Sequence, residues 1–297
     1  MSEDREITKK IQEIISLRFK DVNVTEKERS RIISEAFSQT IDETAKEIHY
    51  SIKKGIPKMI RETNKIHTRH HKKLNIIWKT PLDMLEALWI IAIEIGQDFN
   101  ERNYKKVIKD NDLTLFILTR LHCQACQIVG EIITLLRNGY ADGANARWRS
   151  LFETVVTALF INKQGKETAE RYLAHEIIDK YKRMNEMHKY LEELNIEPVP
   201  DKEIEILKEE RKQLIIKYGK SFKGSYGWAA YALDKNRPNY RDIEEAIGLN
   251  YLRPYYQLAN IPVHAGPMSI LFDLGMPETD ILMLAGSSNR GLADPGQ

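Results

Sequence analysis

Leu113–Leu136 reads LTLFILTRLHCQACQIVGEIITLL, and this stretch decides the fold. Apolar side chains recur around most of a helical circumference, the pattern of a central helix buried on many sides. Arg137-Asn138-Gly139-Tyr140 stops it, with Gly139 suited to the left-handed conformation that ends a helix. Ala141-Asp142-Gly143-Ala144 starts the next helix, which turns Trp148, Leu151, Phe152, Val155 and Leu159 inward. The short connection makes the two an antiparallel hairpin. No alternation of period two persists beyond a few residues, and no internal repeat is present. The expected class is therefore all-α, a multi-helix bundle with long N-terminal amphipathic helices.

N-terminal to this hairpin, Ile32, Ile33, Phe37, Ile41, Ala45, Ile48 and Ile52 recur at spacings of three and four, so that face needs a surface to pack on. Pro57 predicts a break or kink. The segment KMIRETNKIHTRHHKK, Lys58–Lys73, joins Lys53 and Lys54 in a basic cluster. It reads either as a solvated helix end or as a phosphate-facing arm, in which Lys58, Arg61 and Arg69 are candidate substrate-binding residues. His67, His70 and His71 have no nearby carboxylate or cysteine, so no metal is assigned. Thr80 and Pro81 predict the start of a new helix, with Met84, Leu85, Leu88, Trp89, Ile91, Ala92 and Ile95 opening the core. The expected division is an N-terminal helical region, 1–79, and a helical core domain, 80–297.

C-terminal to the hairpin, Thr168 to Glu193 predicts one long, charged helix. Ile196-Glu197-Pro198-Val199-Pro200 predicts a turn, and Asp201 caps a helix reaching Tyr218. GKSFKGSYGW, Gly219–Trp228, reads as a loop. Short helices are expected at Tyr240–Gly248 and Tyr251–Ala259. The chain finishes on a glycine-rich polar stretch, AGSSNRGLADPGQ, which reads as an ordered loop, a frayed end or a shortened terminus.

At 297 residues the chain is long enough for one large core or a core with an added helical layer. Hydrophobic residues at 42% and charged residues at 30% exclude wholesale disorder. No stretch reaches the roughly 18 uncharged apolar residues of a membrane span, and MSEDREITKK has no apolar region behind its charges. A cytoplasmic protein is expected, without a membrane partner. Cys123 and Cys126, three apart in the apolar run, are expected as reduced, packed thiols on one helix face. A net charge of +2 confines any attraction to nucleic acid to a local patch. Walker-type, dinucleotide-binding and GxSxG patterns are missing, and the sequence implies no cofactor.

Two segments carry candidate chemistry. Asn145, Arg149 and Glu153 recur every four residues along one face of an apolar helix, either as an internal salt bridge or as a substrate-facing stripe. Arg147, on another face, is a further candidate for substrate binding. In YYQLANIPVHAGP, Tyr255–Pro267, Asn260 and His264 stand one turn apart if the backbone stays helical. A histidine there suits general acid or base work near neutral pH.

The chain resembles a family of uncharacterised bacterial proteins known only by a domain-of-unknown-function label. The resemblance covers about Leu113 to Pro295 and rests on LLRNGYADGANARWRSLFE (Leu135–Glu153), YQLANIPVHAGP (Tyr256–Pro267) and SNRGLADPG (Ser288–Gly296). It implies that Arg149, Glu153, Asn260 and His264 matter, and it implies no reaction. The Asn260–His264 segment is also similar to the signature of the HEPN superfamily, all-α proteins that include RNA-cleaving toxins and phage-defence effectors. In that signature an arginine precedes the polar residue, whereas this chain has Ala259. The resemblance implies that His264 handles proton transfer, and Arg149 would then supply the cation, with Glu153 holding it. The sequence thus supports two main readings, beside a third of small-ligand or nucleotide binding in a helical pocket without turnover. One is a HEPN-like, metal-independent ribonuclease or toxin acting on RNA, with Arg149, Glu153, Asn260 and His264 catalytic. The other is a non-catalytic helical module that docks a protein partner or forms a homodimer through its N-terminal helices.

Overall fold

The computed structural model describes residues 25–276 and 285–296. The expectation for the opening segment, and that for the side chains of Ile32 and Ile33, fall outside the described residues. What is described is all-α, with no strand. The chain divides between His70 and His71 into two compact units.

Within the first unit the described residues after Thr25 belong to helix α1, Glu26–Asp110. Phe37, Ile41, Ile48 and Ile52 are exposed on it. Pro57 does not break this helix. The residues on either side of Pro57 are largely exposed, so the carbonyl that loses its N–H partner is met by water.

The second unit holds residues 71–110 of α1 and the rest of the fold. Thr80 and Pro81 do not begin a helix either, because α1 continues through them. Leu74 and Leu82 are buried on both sides of the proline, and that packing outweighs the lost hydrogen bond. The residues expected to open the core divide between two faces. Trp89 turns inward and donates from Nε1 to the Cys126 carbonyl at 2.7 Å. Met84, Leu88, Ile91 and Ile95 are exposed, at 64%, 64%, 49% and 62%. One helix can pack only one face on a neighbour, and the sequence pattern did not say which.

Helix α2, Leu113–Arg137, is capped by Asp112, whose carboxylate accepts from the Leu115 N–H at 3.0 Å. Its buried residues, among them Ile117, Leu121, Ile128 and Leu136, lie along one side. His122, Cys123 and Gln124 are exposed, so α2 is not buried all round, and Cys123 is not packed as its apolar context suggested. Gly139 takes φ +80° in the turn, and α3, Ala141–Gln164, returns against α2 as the expected hairpin.

Thr168–Glu193 is not one helix. It is divided into α4, Lys166–Ala174, α5, Glu176–Met187, and the short α6, Leu191–Leu194. The first break falls at His175, which is buried and whose Nε2 lies 2.8 Å from the Gly224 carbonyl oxygen. Helix α7, Asp201–Tyr218, leads into the stretch read as a loop. That stretch forms two tight 3-10 turns that bury Phe222 and Trp228. Then come α8, Tyr240–Ile247, α9, Arg253–Asn260, and α10, Pro267–Leu271.

Two apolar clusters hold the unit together. One gathers Ile117, Phe152, Val156, Phe160, Trp228, Ile243 and Tyr256. The other gathers Leu74, Leu82, Ile128, Leu136, Ala144 and Leu292. Leu292 comes from the polar C-terminal stretch, which is an ordered loop at this point. The Ser288 N–H donates to the Gly139 carbonyl at 2.8 Å, and Trp78 donates to the Asn289 carbonyl at 2.9 Å.

Candidate functional site

Helix α3 carries Arg149 and Glu153 one turn apart, and Arg149 Nε donates to Glu153 Oε1 at 3.0 Å. Helix α9 supplies the opposing wall. After Asn260 the backbone tightens into a 3-10 turn over Ile261–Val263, and the His264 N–H still donates to the Asn260 carbonyl at 3.2 Å. His264 itself is extended, at φ −114° and ψ 135°. Pro262 fits the first turn of this short element, where no N–H is required, and the chain then leaves the helix at His264.

The result is a meeting of two segments 115 residues apart, with Arg149 Nη1 3.4 Å from His264 Nε2. Arginine has no acceptor, so the contact is a hydrogen bond in the tautomer that leaves Nε2 free to accept and carries the proton on Nδ1. The distance is at the weak end of hydrogen bonding, so an incoming anion can displace it. His264 is exposed and the Arg149 side chain is 24% exposed, so solvent reaches both.

Tyr256 completes the brace. Its hydroxyl donates to the same Glu153 Oε1 at 2.6 Å, while Arg149 lies 5.2 Å and Arg253 5.4 Å from its ring centre. Burial opposes the Arg149 charge, but the Tyr256 hydroxyl and the Glu153 carboxylate outweigh it and hold the guanidinium above the usual arginine range. Burial, reinforced by Glu153, pushes the Tyr256 hydroxyl up to about 12. Behind it, the Tyr240 ring lies 5.4 Å away at a tilt of 30°, and burial first, then Glu153 and Glu244, raise its hydroxyl further. Glu244 is fully buried and accepts from Arg253 Nη1 at 2.7 Å.

The other sequence candidates are distributed around this centre. Asn260 stands just before the turn, with Oδ1 buried and lacking a hydrogen-bond partner. Asn145, a turn before Arg149, is buried at 7% exposure and lines a separate cavity. Arg147 points to α2 and pairs with Glu131 at 2.5 Å. Lys58, Arg61 and Arg69 are exposed on the first unit, where Arg61 Nε donates to the Pro57 carbonyl at 3.1 Å. Sequence reasoning did not single out Tyr256, Tyr240, Glu244 or Arg253. A signal was available: Tyr256 precedes Asn260 and His264 at the same four-residue spacing, and Tyr240 precedes Glu244 likewise.

Among the described residues, no group of three or more His, Cys, Asp or Glu side chains is arranged to hold a metal ion, and no helix is long and apolar enough to cross a membrane. No curated protein and no solved structure matches the chain. A family model described as DUF5677, a family of unknown function, matches residues 115–281, a span that includes Arg149, Glu153, Tyr256, Asn260 and His264. Since that match covers more than half of the 297 residues, the chain belongs to the DUF5677 family of unknown function.

Proposed function

We propose that the chain is a HEPN-like, metal-independent ribonuclease of the toxin or defence type, with its reacting phosphodiester bound between Arg149 and His264. The observation that carries this reading is the 3.4 Å approach of a braced guanidinium to an acceptor nitrogen of a solvent-reachable imidazole. His264 Nε2 takes the proton of an RNA 2′-hydroxyl as that oxygen attacks phosphorus. The new 2′-O–P bond forms while the P–O5′ bond breaks, and the departing oxygen takes a proton from solvent. Arg149 stabilises the charge that builds on the phosphoryl oxygens, and Glu153 with Tyr256 keeps the guanidinium from swinging away.

The test is incubation of wild type, His264→Ala and Arg149→Ala with total RNA and with transfer RNA. The reading predicts cleavage by wild type and a loss of at least ~100-fold in both variants. Equal cleavage by all three, or none by wild type, would overturn it.

A second reading, a docking module, is favoured by the exposed stripe of Met84, Leu88, Ile91 and Ile95. Their spacing of four, three and four is the coiled-coil period, which fits the same stripe on a second copy of the chain. Sedimentation of wild type against Leu88→Lys checks it: a dimer that becomes a monomer supports the reading, and a monomeric wild type ends it.

A further inference from the structure

Helix α1 carries a row of cations that the Arg149–His264 site does not use. Lys54, Lys58, Arg61, Lys65 and Arg69 stand four, three, four and four residues apart, and all five are exposed on the first unit. At about 3.6 residues per turn this spacing keeps them within roughly 80° of the helical circumference, along about 22 Å of its length. Between residues 53 and 70 the only acidic residue is Glu62, at the edge of the row. Among the described residues none of the five forms an ion pair, whereas elsewhere on α1 Arg31 pairs with Glu35, Lys79 with Asp83 and Arg102 with Asp98. Arg61 donates from Nε to the Pro57 carbonyl at 3.1 Å, which leaves the outer edge of its guanidinium open. Like charges at this spacing repel and weaken a helix, and a face that served only to keep the helix in water would interleave the two signs.

We infer that this face of α1 docks the phosphate backbone of an RNA duplex. The net charge of the chain is only +2, so the attraction is local to the row. Cations about 4.5–6 Å apart along the axis match closely spaced phosphates, and each phosphate neutralised releases condensed counterions. Single-stranded RNA is held by stacking on aromatic rings as well as by charge, and residues 53–70 contain no Phe, Tyr or Trp. A duplex turns its bases inward and its phosphates outward, so a row of cations is sufficient for it. An acidic membrane fits less well. Ile56, Met59, Ile60 and Ile66, the exposed apolar residues of the same stretch, lie on the opposite face of the helix. A helix in a membrane interface buries such a face and reaches the headgroups with cations at its flanks, whereas this row would point away from the bilayer. The inference rests on the ribonuclease reading for RNA as the polyanion, and it gives the row a role that the cleavage chemistry does not.

The experiment is fluorescence anisotropy of a labelled 2′-O-methyl RNA duplex, which lacks the hydroxyl that the proposed cleavage needs, titrated with the full chain from about 50 to about 200 mM salt. Wild type is compared with a triple variant of the row, Lys58→Glu, Arg61→Glu and Lys65→Glu. A second triple variant, Lys202→Glu, Lys208→Glu and Lys212→Glu, makes the same change in net charge at exposed positions of α7. Reversal relieves the repulsion within the row, so α1 is expected to keep its fold, and circular dichroism checks this. Five phosphate contacts predict a slope of about −4 to −5 in log affinity against log salt concentration for wild type. The α1 variant is expected to lose at least ~30-fold in affinity at about 100 mM salt and to bring the slope to about −2, with the α7 variant within ~3-fold of wild type. Absence of binding by wild type, equal losses in the two folded variants, or tighter association with phosphatidylserine vesicles than with the duplex would overturn it. Duplex binding that depends on the row, in a protein that leaves unmodified RNA intact, would sustain the surface while refuting the ribonuclease reading. Cleavage of RNA by a protein whose α1 variant binds the duplex as wild type does would do the reverse.

Discussion

Removal of the Tyr256 hydroxyl isolates the brace on which the candidate site depends. In wild type the hydroxyl donates to Glu153 Oε1 at 2.6 Å from a ring that is only 7% exposed. A hydrogen bond to a charged partner contributes about 1.5–3 kcal/mol. Glu153 is 38% exposed, so in Tyr256→Phe water reaches the freed carboxylate and the net cost falls to about 1–2 kcal/mol. Glu153→Ala costs more, about 2–4 kcal/mol, because it strands a buried hydroxyl and a partly buried guanidinium together. The double variant loses the shared bond only once, so urea unfolding of all four proteins should give a coupling energy of about 1–2 kcal/mol. A value under about 0.5 kcal/mol would mean that the carboxylate does not brace both groups. The sign of the pH effect follows from the raised hydroxyl. Its neutral form is the stabilising one, so the contribution is complete below its ordinary value near 10 and is lost as pH climbs towards 12. Wild type and Tyr256→Phe should therefore converge in stability across that alkaline window.

Other regions make their own predictions. Asp142, half-buried beside Asp273 and accepting from the Leu274 N–H at 3.3 Å, is pushed up to about 6 by burial and by the neighbouring carboxyl. A raised acid stabilises the fold below its ordinary value near 3.8 and loses that contribution as pH rises through about 6, so melting curves from pH 4 to 8 should show the loss in wild type and not in Asp142→Asn. Gly291 has φ +67°, and an added Cβ would lie 2.2 Å from the Leu274 carbonyl oxygen. Gly291→Ala should destabilise by more than about 2 kcal/mol in denaturant titration, and a change within 0.5 kcal/mol would contradict the close approach. Phe160 is fully buried, so Phe160→Ala should cost about 3–5 kcal/mol by the same measurement.

The helical class and the hairpin were legible because apolar periodicity is a local signal, and Gly139 marks its turn by chemistry alone. Pro57 and Pro81 misled because a proline penalty of a few kcal/mol is decided by its surroundings, here by solvent at one and by Leu74 and Leu82 at the other. His175 divides a helix that its sequence reads as continuous, since its link to Gly224 is a tertiary contact. The polar stripe on α3 was visible from spacing, and so was the polar turn ending at His264. Their encounter was not, because helix packing and not sequence distance brings the two segments within 3.4 Å. Tyr256 escaped notice for a related reason: among so many aromatic residues, only its partner distinguishes a brace from a core ring.

The most direct measurement of the central claim is the chemistry of the ends left on a cleaved RNA when the reaction runs in excess EDTA. Attack by a 2′-oxygen under His264 and Arg149 predicts undiminished cleavage and products ending in a 2′,3′-cyclic phosphate. Products carrying a 5′-phosphate and a free 3′-hydroxyl, or cleavage abolished by the chelator, would contradict it.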